Sequence, residues 1–324
     1  MDSSPRNPAQ PLVTIVTSTY NQADYLDQAI NSVLEQDYPN IEYRVFNDGS
    51  TDHTEAVLQK YTGKLYWETQ PNMKENPTLN KGYKLAKGEI IGKLSSDDYY
   101  YPGLISAVVQ AFNEHPEAIV VYPDFDVVDP AGKLIYTASS EYDYIKSIRE
   151  HLCLPGVGAF FRRRLLQYIP GGLDVSFRRV SDLLFWWQAG LYGPFIHIPR
   201  SLGAFRVHSA SQTTQGGSLS ANETLRLIDT FYALPDLPAE VLAVKNEAYA
   251  SAWFVSAYYL SREKNAYLPT CYRLLKSFLK ASPRYLTGEW SERSRFALSY
   301  GLNFDKIRRI FQGLKALPHK LRQR

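Results

Sequence analysis

Two adjacent carboxylates, Asp97 and Asp98, follow a short apolar run over residues 88–96 that reads Gly-Glu-Ile-Ile-Gly-Lys-Leu-Ser-Ser. The run predicts a brief buried strand, and Pro102-Gly103 predicts a break before a helix over 104–112. Both carboxylates would then lie at the carboxyl end of a strand, where ligands bind in open α/β sheets. Two carboxylates this close repel each other unless a proton or a cation lies between them. The pattern favours a divalent metal ion, Mn²⁺ or Mg²⁺, held together with diphosphate oxygens. Taken alone, it equally allows a helix cap or turn role for Asp97 and a solvated Asp98.

The elements that would position these residues form an alternating series. Residues 12–17 are a β-branched run typical of a strand buried on both faces, and apolar residues recur at helical spacing over 25–34. A second strand is predicted over 41–46, and the turn over 47–52 opens a second helix. This order predicts an α/β fold with a mostly parallel sheet and right-handed connections. Tyr20, Asp48 and the Asp97-Asp98 pair would then face one crevice.

Composition and cysteine usage restrict the class of protein. The chain has 324 residues, 44% of them hydrophobic and 14% aromatic, which predicts one large domain and a smaller one with a sizeable core. Cys153 and Cys271 are far apart, so neither a disulfide framework nor a zinc site is expected. No secretory signal and no apolar run long enough to span a membrane is found. We therefore expect a cytoplasmic protein.

Positive charge is concentrated at the end of the chain. Lys306–Arg324 holds seven Lys/Arg and no Asp/Glu, which leaves 29 Lys/Arg against 33 Asp/Glu elsewhere. That balance is not the footprint of a nucleic-acid-binding domain. Apolar residues of the tail fall on one face, although Pro318 interrupts it, so the tail is predicted to lie on an anionic membrane surface. A solvated terminal helix is the alternative.

Five motifs, in order along the chain, resemble those of glycosyltransferase family 2, the inverting GT-A enzymes. The resemblance covers roughly residues 12–210, and the motifs lie at 13–21, 32–36, 47–52, 80–89 and 95–98. It implies a nucleotide-diphospho-sugar donor, with a UDP-sugar favoured, and a glycan or lipid-linked acceptor. Two residues depart from the family pattern: Ser95 replaces its usual Asp, and Leu79 replaces a common Arg.

The resemblance also assigns roles to individual residues. It implies that the donor nucleotide is bound by Thr19, Tyr20, Asp48, Asn80, Lys81, Ser96 and Asp97, with Asp48 accepting a hydrogen bond from the base. It further implies that Asp97 and Asp98 hold the metal and the diphosphate. Read from the residues alone, Tyr20 could be a core aromatic and Asp48 a turn residue.

Two motifs further along complete the expected site. Asp182 precedes a strongly apolar helix, and the resemblance implies that it is the base that deprotonates the acceptor hydroxyl. An N-cap role for Ser181 or Asp182 is the structural alternative. The sequence Phe-Arg-Val-His-Ser-Ala-Ser over 205–211 resembles the closing family motif, which implies that His208 contacts the metal or diphosphate. The basic run Arg162–Arg164 is typical of a solvated face, although one arginine could contact phosphate.

The sequence therefore predicts four segments: a leader over 1–11, a GT-A domain over 12–216, a helical domain over 217–305 and a basic tail over 306–324. The helical domain could shape the acceptor side or form a contact between copies. The predicted activity is inverting hexosyl transfer in bacterial surface polysaccharide synthesis, on the inner face of the membrane if the tail binds there. The alternative is an inactive member of the same fold that keeps the nucleotide pocket and serves as a scaffold.

Overall fold

A computed structural model describes residues 10–152, 155–208, 217–287 and 289–301, which divide into two compact units. Within these ranges the first unit contains residues 10–147, 152 and 155–208, and the second contains residues 148–151 and 217 onward. The predicted boundary at residue 216 and the predicted membrane-binding tail, Lys306–Arg324, lie outside the described residues.

The first unit is built on one mixed sheet. Its strands are β1 Val13–Thr19, β2 Ile41–Asn47, β3 Tyr66–Thr69, β4 Ile90–Lys93, β5 Tyr99–Tyr100, β6 Val120–Val128, β7 Leu134–Ala138, β8 Phe160–Arg162 and β9 Phe195–Arg206. The strand order is β3-β2-β1-β4-β8-β6-β9-β5, and β7 pairs with β6. The helices in this part of the chain are α1 Ala23–Leu34, α2 Thr54–Gln59, α3 Glu75–Leu85, α4 Leu104–Glu114, α5 Tyr144–Glu150, α6 Leu165–Tyr168 and α7 Ser181–Ala189.

A separate hydrophobic core lies on each face of the sheet. Val13 and Ile15 of β1 pack with α1 and α4, whereas Val16 packs on the other face with α3 and α7. All three are fully buried, as expected for a central parallel strand that is covered on both faces. The predicted α/β architecture is confirmed.

Glycine allows α3 to approach the sheet closely. A Cβ atom placed on Gly82 would lie 2.3 Å from Cγ1 of Val16, which is well inside van der Waals contact. The side of α3 that carries Gly82 therefore rests directly on β1. This contact sets the distance between α3 and the sheet, and the amino end of α3 lies at the carboxyl edge of the parallel strands.

The sheet departs from a simple parallel arrangement after its fourth strand. Strands β3, β2, β1 and β4 are parallel, and of these four the sequence had predicted β1, β2 and β4. Strand β8 is inserted antiparallel between β4 and β6. Strand β9 then runs parallel to β6. Asp124 of β6 is 8% exposed, and its Oδ1 lies 2.6 Å from Nε2 of His197. A hydrogen-bonding partner inside the sheet makes its burial tolerable.

The second unit is helical. Its helices are α8 Ser218–Tyr232, α9 Ala239–Ala243, α10 Lys245–Leu260, α11 Tyr267–Leu286 and α12 Ser291–Gly301. Small buried residues such as Ala250 and Ser277 let α10 and α11 pack closely, and the Ser277 hydroxyl donates to the Ala250 carbonyl (2.6 Å). None of the described helices is both long enough and apolar enough to cross a membrane.

Candidate functional site

Asp48 follows β2 directly and is held in a fixed orientation. Its Oδ1 accepts hydrogen bonds from Gln70 Nε2 (3.0 Å), Thr78 Oγ1 (2.9 Å) and the backbone N–H of Met73 (2.9 Å). Asp48 is 2% exposed, so these three donors stabilise a buried carboxylate. They all bind the same oxygen, and Oδ2 is left as the acceptor available to a ligand in the described site.

Asn80 and Lys81, on α3, are both engaged with the protein. The Asn80 side chain donates to the Leu173 carbonyl (2.7 Å) and accepts from the Leu173 N–H (2.8 Å). Lys81 donates to Gln70 Oε1 (2.8 Å) and forms an ion pair with Glu68. Asn80 thus anchors the segment that leads to α7, and Lys81 orients the glutamine that holds Asp48. Contacts of these two residues with ribose or phosphate stay a prediction.

The ends of β1 and β4 supply the other predicted donor contacts. Tyr20, directly after β1, is 48% exposed, whereas Thr19 and Ser96 are buried. The Thr19 hydroxyl is buried and has no hydrogen-bond partner among the described residues, and the Thr19 carbonyl accepts from the Asp48 N–H (2.9 Å). Of these three residues, only Tyr20 presents a large exposed surface on which a ring could stack.

Asp97 and Asp98 have different surroundings. Asp98 is 3% exposed, and its Oδ1 accepts from the backbone N–H of Arg206 (2.9 Å). Burial, and then repulsion from Asp97, raise the pKa of Asp98 well above its usual range. The Asp97 side chain is more accessible, at 19%. The repulsion anticipated from the sequence is therefore present, and Asp97 is the carboxylate that faces solvent.

His208 completes this end of the site. Its Nε2 lies 3.0 Å from Oδ2 of Asp97, and its ring packs at 5.1 Å from the ring of Tyr25. Within the described ranges, no three His, Cys, Asp or Glu side chains are grouped to hold a metal by themselves. Mn²⁺ and Mg²⁺ commonly take only one or two protein ligands and complete their shell with phosphate oxygens and water. Asp97 and His208 fit a cation of that kind.

Arg206 connects the segment that contains Asp97 to other parts of the first unit. Its guanidinium donates to the carbonyls of Asp97 (2.9 Å) and Pro130 (2.8 Å) and to Gln28 Oε1 (2.6 Å). It also lies over the rings of Tyr25 (4.8 Å) and Tyr99 (5.3 Å). In the sequence, Arg206 stands out only as part of the motif over 205–211. Its buried position in the apolar strand β9 is the signal that it has a structural role.

Asp182 lies in the first turn of α7, beside a second charged pair. Lys93, the last residue of β4, places its Nζ 2.7 Å from Oε1 of Glu75 at the start of α3. The Asp182 side chain is exposed to solvent on one side. The protein atoms packed around the rest of it partly desolvate its carboxylate, which raises the pKa of Asp182, and the nearby Lys93 ammonium opposes the increase. The helix N-cap is Val180, so the predicted alternative that Ser181 or Asp182 caps α7 is not realised.

Lys93 was overlooked in the sequence analysis. Burial disfavours its charged form, but the Glu75 carboxylate outweighs this effect and raises the pKa of Lys93 above its usual value. A lysine in an otherwise apolar strand, four residues before Asp97, was the available signal.

Comparisons with known proteins indicate what the chain is similar to. Residues 14–168 match the family model described as glycosyl transferase family 2. An uncharacterised glycosyltransferase of Rickettsia prowazekii is 30% identical over 216 residues, 64% of this chain and 68% of that protein. Among solved structures, S. aureus TarS in complex with UDP-GlcNAc superposes with a TM-score of 0.60 at 16% identity, covering 86% of this chain and 92% of that one. A mannosyltransferase from Pyrobaculum calidifontis, in complex with GDP-Man and Mn²⁺, superposes with a TM-score of 0.56 at 16% identity, covering 97% and 88%.

Proposed function

Because this chain belongs to glycosyltransferase family 2, we propose that it transfers a sugar from a UDP-sugar to a hydroxyl of a glycan or lipid-linked acceptor, with inversion. Its fold is the GT-A fold that the sequence resemblance implied. One observation carries the proposal. Asp48 follows β2, Asp97 follows β4, and Asp182 lies beside Lys93, the last residue of β4. Three carboxylates with different surroundings are thus gathered where an α/β sheet binds ligands.

Each carboxylate has a separate task in the proposed reaction. Asp48 accepts a hydrogen bond from the base through Oδ2, since Oδ1 is already saturated. Asp97 and His208 would hold a divalent cation, which would offset charge on the departing diphosphate. Asp182 takes the proton of the acceptor hydroxyl. The oxygen of that hydroxyl attacks the anomeric carbon from the face opposite the diphosphate. The C–O bond to the new acceptor forms as the bond to UDP breaks, so no covalent enzyme intermediate is needed.

UDP should bind the purified protein at least about tenfold more tightly with Mn²⁺ or Mg²⁺ than with a chelator, because a cation held by Asp97 and His208 would offset the charge of the diphosphate. Calorimetric titration measures this, and Asp97→Ala should remove the metal effect. Asp37→Ala, an exposed aspartate outside the site, is the matched control. Equal UDP affinity with metal and with chelator would remove the cation from the proposal. GDP or dTDP binding more tightly than UDP would correct the donor class.

Asp48→Asn should weaken UDP binding by about tenfold or more while changing stability little. The asparagine oxygen can still accept from Gln70, Thr78 and the Met73 N–H, but an amide N–H₂ replaces the oxygen that would face the base. Replacing an acceptor by a donor leaves two donors opposed, which costs more than losing one hydrogen bond. Titration with UDP and a thermal melt separate the two effects. Unchanged UDP affinity would exclude Asp48 from base recognition.

The rate constant kcat/KM for transfer should fall at acid pH with a midpoint above the usual aspartate value of about 4, because a base must be deprotonated and burial raises the pKa of Asp182. Lys93→Met removes the ammonium that opposes this increase, so its midpoint should move to higher pH. Lys87→Met, on an exposed lysine, should leave the profile unchanged. A midpoint that does not move in Lys93→Met would contradict the assignment of Asp182 as the titrating base.

A further inference from the structure

A second concave site lies at the opposite edge of the sheet. Strand β4 begins at Ile90, which pairs with Arg162 at the end of the antiparallel strand β8. The residues next to this pair belong to the amino edge of β4, away from Asp97. They surround a cavity of about 550 Å³ whose lining includes Lys84, Glu89, Arg162, Arg163, Arg164 and Gln167.

The charges around this cavity are unbalanced. It contains four cations and one carboxylate, and within the described ranges none of the four cations forms an ion pair. Arg162 is held by neutral acceptors, the carbonyls of Ala118 (2.9 Å) and Phe112 (2.8 Å). Burial, and then the neighbouring Arg164, lower the pKa of Arg162. Lys84 and Arg163 are exposed. Cations that outnumber the carboxylates around a concave surface attract anions.

An exposed aromatic platform adjoins the cavity. Tyr168 and Tyr192 stack with ring centroids 4.5 Å apart and planes at 13°, although they are 52% and 42% exposed. Tyr168 follows Gln167 of the cavity wall. Arg164 of the cavity wall donates to the Glu117 carbonyl (3.4 Å). Two residues after Glu117, the Ile119 N–H donates to the carbonyl of Pro194, which is two residues after Tyr192. The tyrosine pair is thus linked to the wall of the basic cavity through Gln167 and through the segment that Arg164 contacts.

We propose that this edge is a second binding site, for an anionic glycan. Carboxylate or phosphate groups of the glycan would enter the cavity and meet Lys84, Arg163 and Arg164, while the apolar C–H face of a neighbouring sugar ring would lie on the Tyr168–Tyr192 pair. A concave basic surface beside flat aromatic rings fits a charged sugar chain better than a lipid bilayer, which favours protruding apolar residues. Outside the tail the chain is net acidic, which argues against a nucleic acid. This inference is independent of the proposed catalysis.

The test is titration of the whole protein with an oligogalacturonate decamer, which carries one carboxylate per ring, at about 50 mM salt where surface charges are weakly screened. A neutral malto-oligosaccharide of equal length is the control ligand. The acidic glycan should bind, and its affinity should fall as salt is added. Arg163→Ala/Arg164→Ala should weaken binding about tenfold or more, and Tyr192→Ala several-fold. Lys64→Ala, at an exposed lysine near the distant strand β3, should have no effect.

Three results would overturn the inference: no binding of the acidic glycan, equal binding of the neutral one, or unchanged affinity in the double arginine variant. Tighter binding of anionic vesicles or of a single-stranded oligonucleotide that is lost in the double arginine variant would also overturn it, in favour of those partners. UDP titration of the same variants should be unchanged, so failure of this inference and failure of the proposed function are distinguishable. If the double variant does not fold, Lys84→Ala on the exposed side of α3 replaces it, with a several-fold loss expected.

Discussion

Asp182→Asn should slow sugar transfer by about 10²–10⁴-fold and leave UDP affinity unchanged. The substitution keeps the shape of the side chain, and its oxygen can still accept from the Leu183 N–H, as Asp182 Oδ1 does at 2.8 Å. An amide cannot take the proton of the acceptor hydroxyl, so only the contribution of general base catalysis is lost. Single-turnover transfer with a radiolabelled donor, together with UDP titration, measures both quantities.

The matched control is Asp174→Asn, the same chemical change eight residues earlier. Asp174 Oδ1 accepts from the Ser176 N–H (2.8 Å), a role that asparagine can keep, so the rate should stay near that of the native protein. Full transfer activity in Asp182→Asn would mean that another group is the base. If the native protein binds UDP but no acceptor yields product, the chain is better described as a nucleotide-binding scaffold.

Arg206→Met should lower the free energy of unfolding by about 3 kcal/mol. Methionine has a similar length but no donors, so two carbonyls and the Gln28 amide oxygen lose the hydrogen bonds that the buried guanidinium donates. Each such hydrogen bond contributes about 1 kcal/mol to stability. The change in urea midpoint gives the stability. UDP affinity should fall too, because the Asp97 carbonyl and the Tyr25 and Tyr99 rings lose their common contact.

Arg200→Met, on the same strand but exposed, should change stability by no more than about 0.5 kcal/mol. A stability change in Arg206→Met as small as that of Arg200→Met would show that water or neighbouring side chains replace the guanidinium.

The sequence alone was sufficient to predict three of the four parallel strands, β1, β2 and β4, and the residues that follow them. These strands are short segments rich in apolar residues, and polar residues that come soon after such a segment are expected at the sheet edge. For this reason Tyr20, Asp48 and Asp97 could be assigned to one crevice before the structure was known. Their roles in binding remain predictions.

The remainder of the site depended on contacts between residues far apart in the sequence. No local pattern indicates that β8 enters the sheet antiparallel, or that Asn80 would bind the backbone of Leu173, 93 residues later. The pairing of Lys93 with Glu75 likewise joins the end of a strand to the start of a helix. Such contacts are decided by packing, and periodicity carries no information about them.

The contacts of Arg206 also have a consequence for how the protein matures. Its guanidinium donates hydrogen bonds to groups 178, 109 and 76 residues earlier in the chain. The backbone N–H of Arg206 donates to Asp98, 108 residues earlier. Loop closure over such separations comes late, because its entropy cost precedes the gain from the contacts. During synthesis the proposed cation site at Asp97 can form only after residue 206 has left the ribosome. A growing chain would therefore be unable to capture the donor, and added donor should favour completion of folding by binding only the finished pocket.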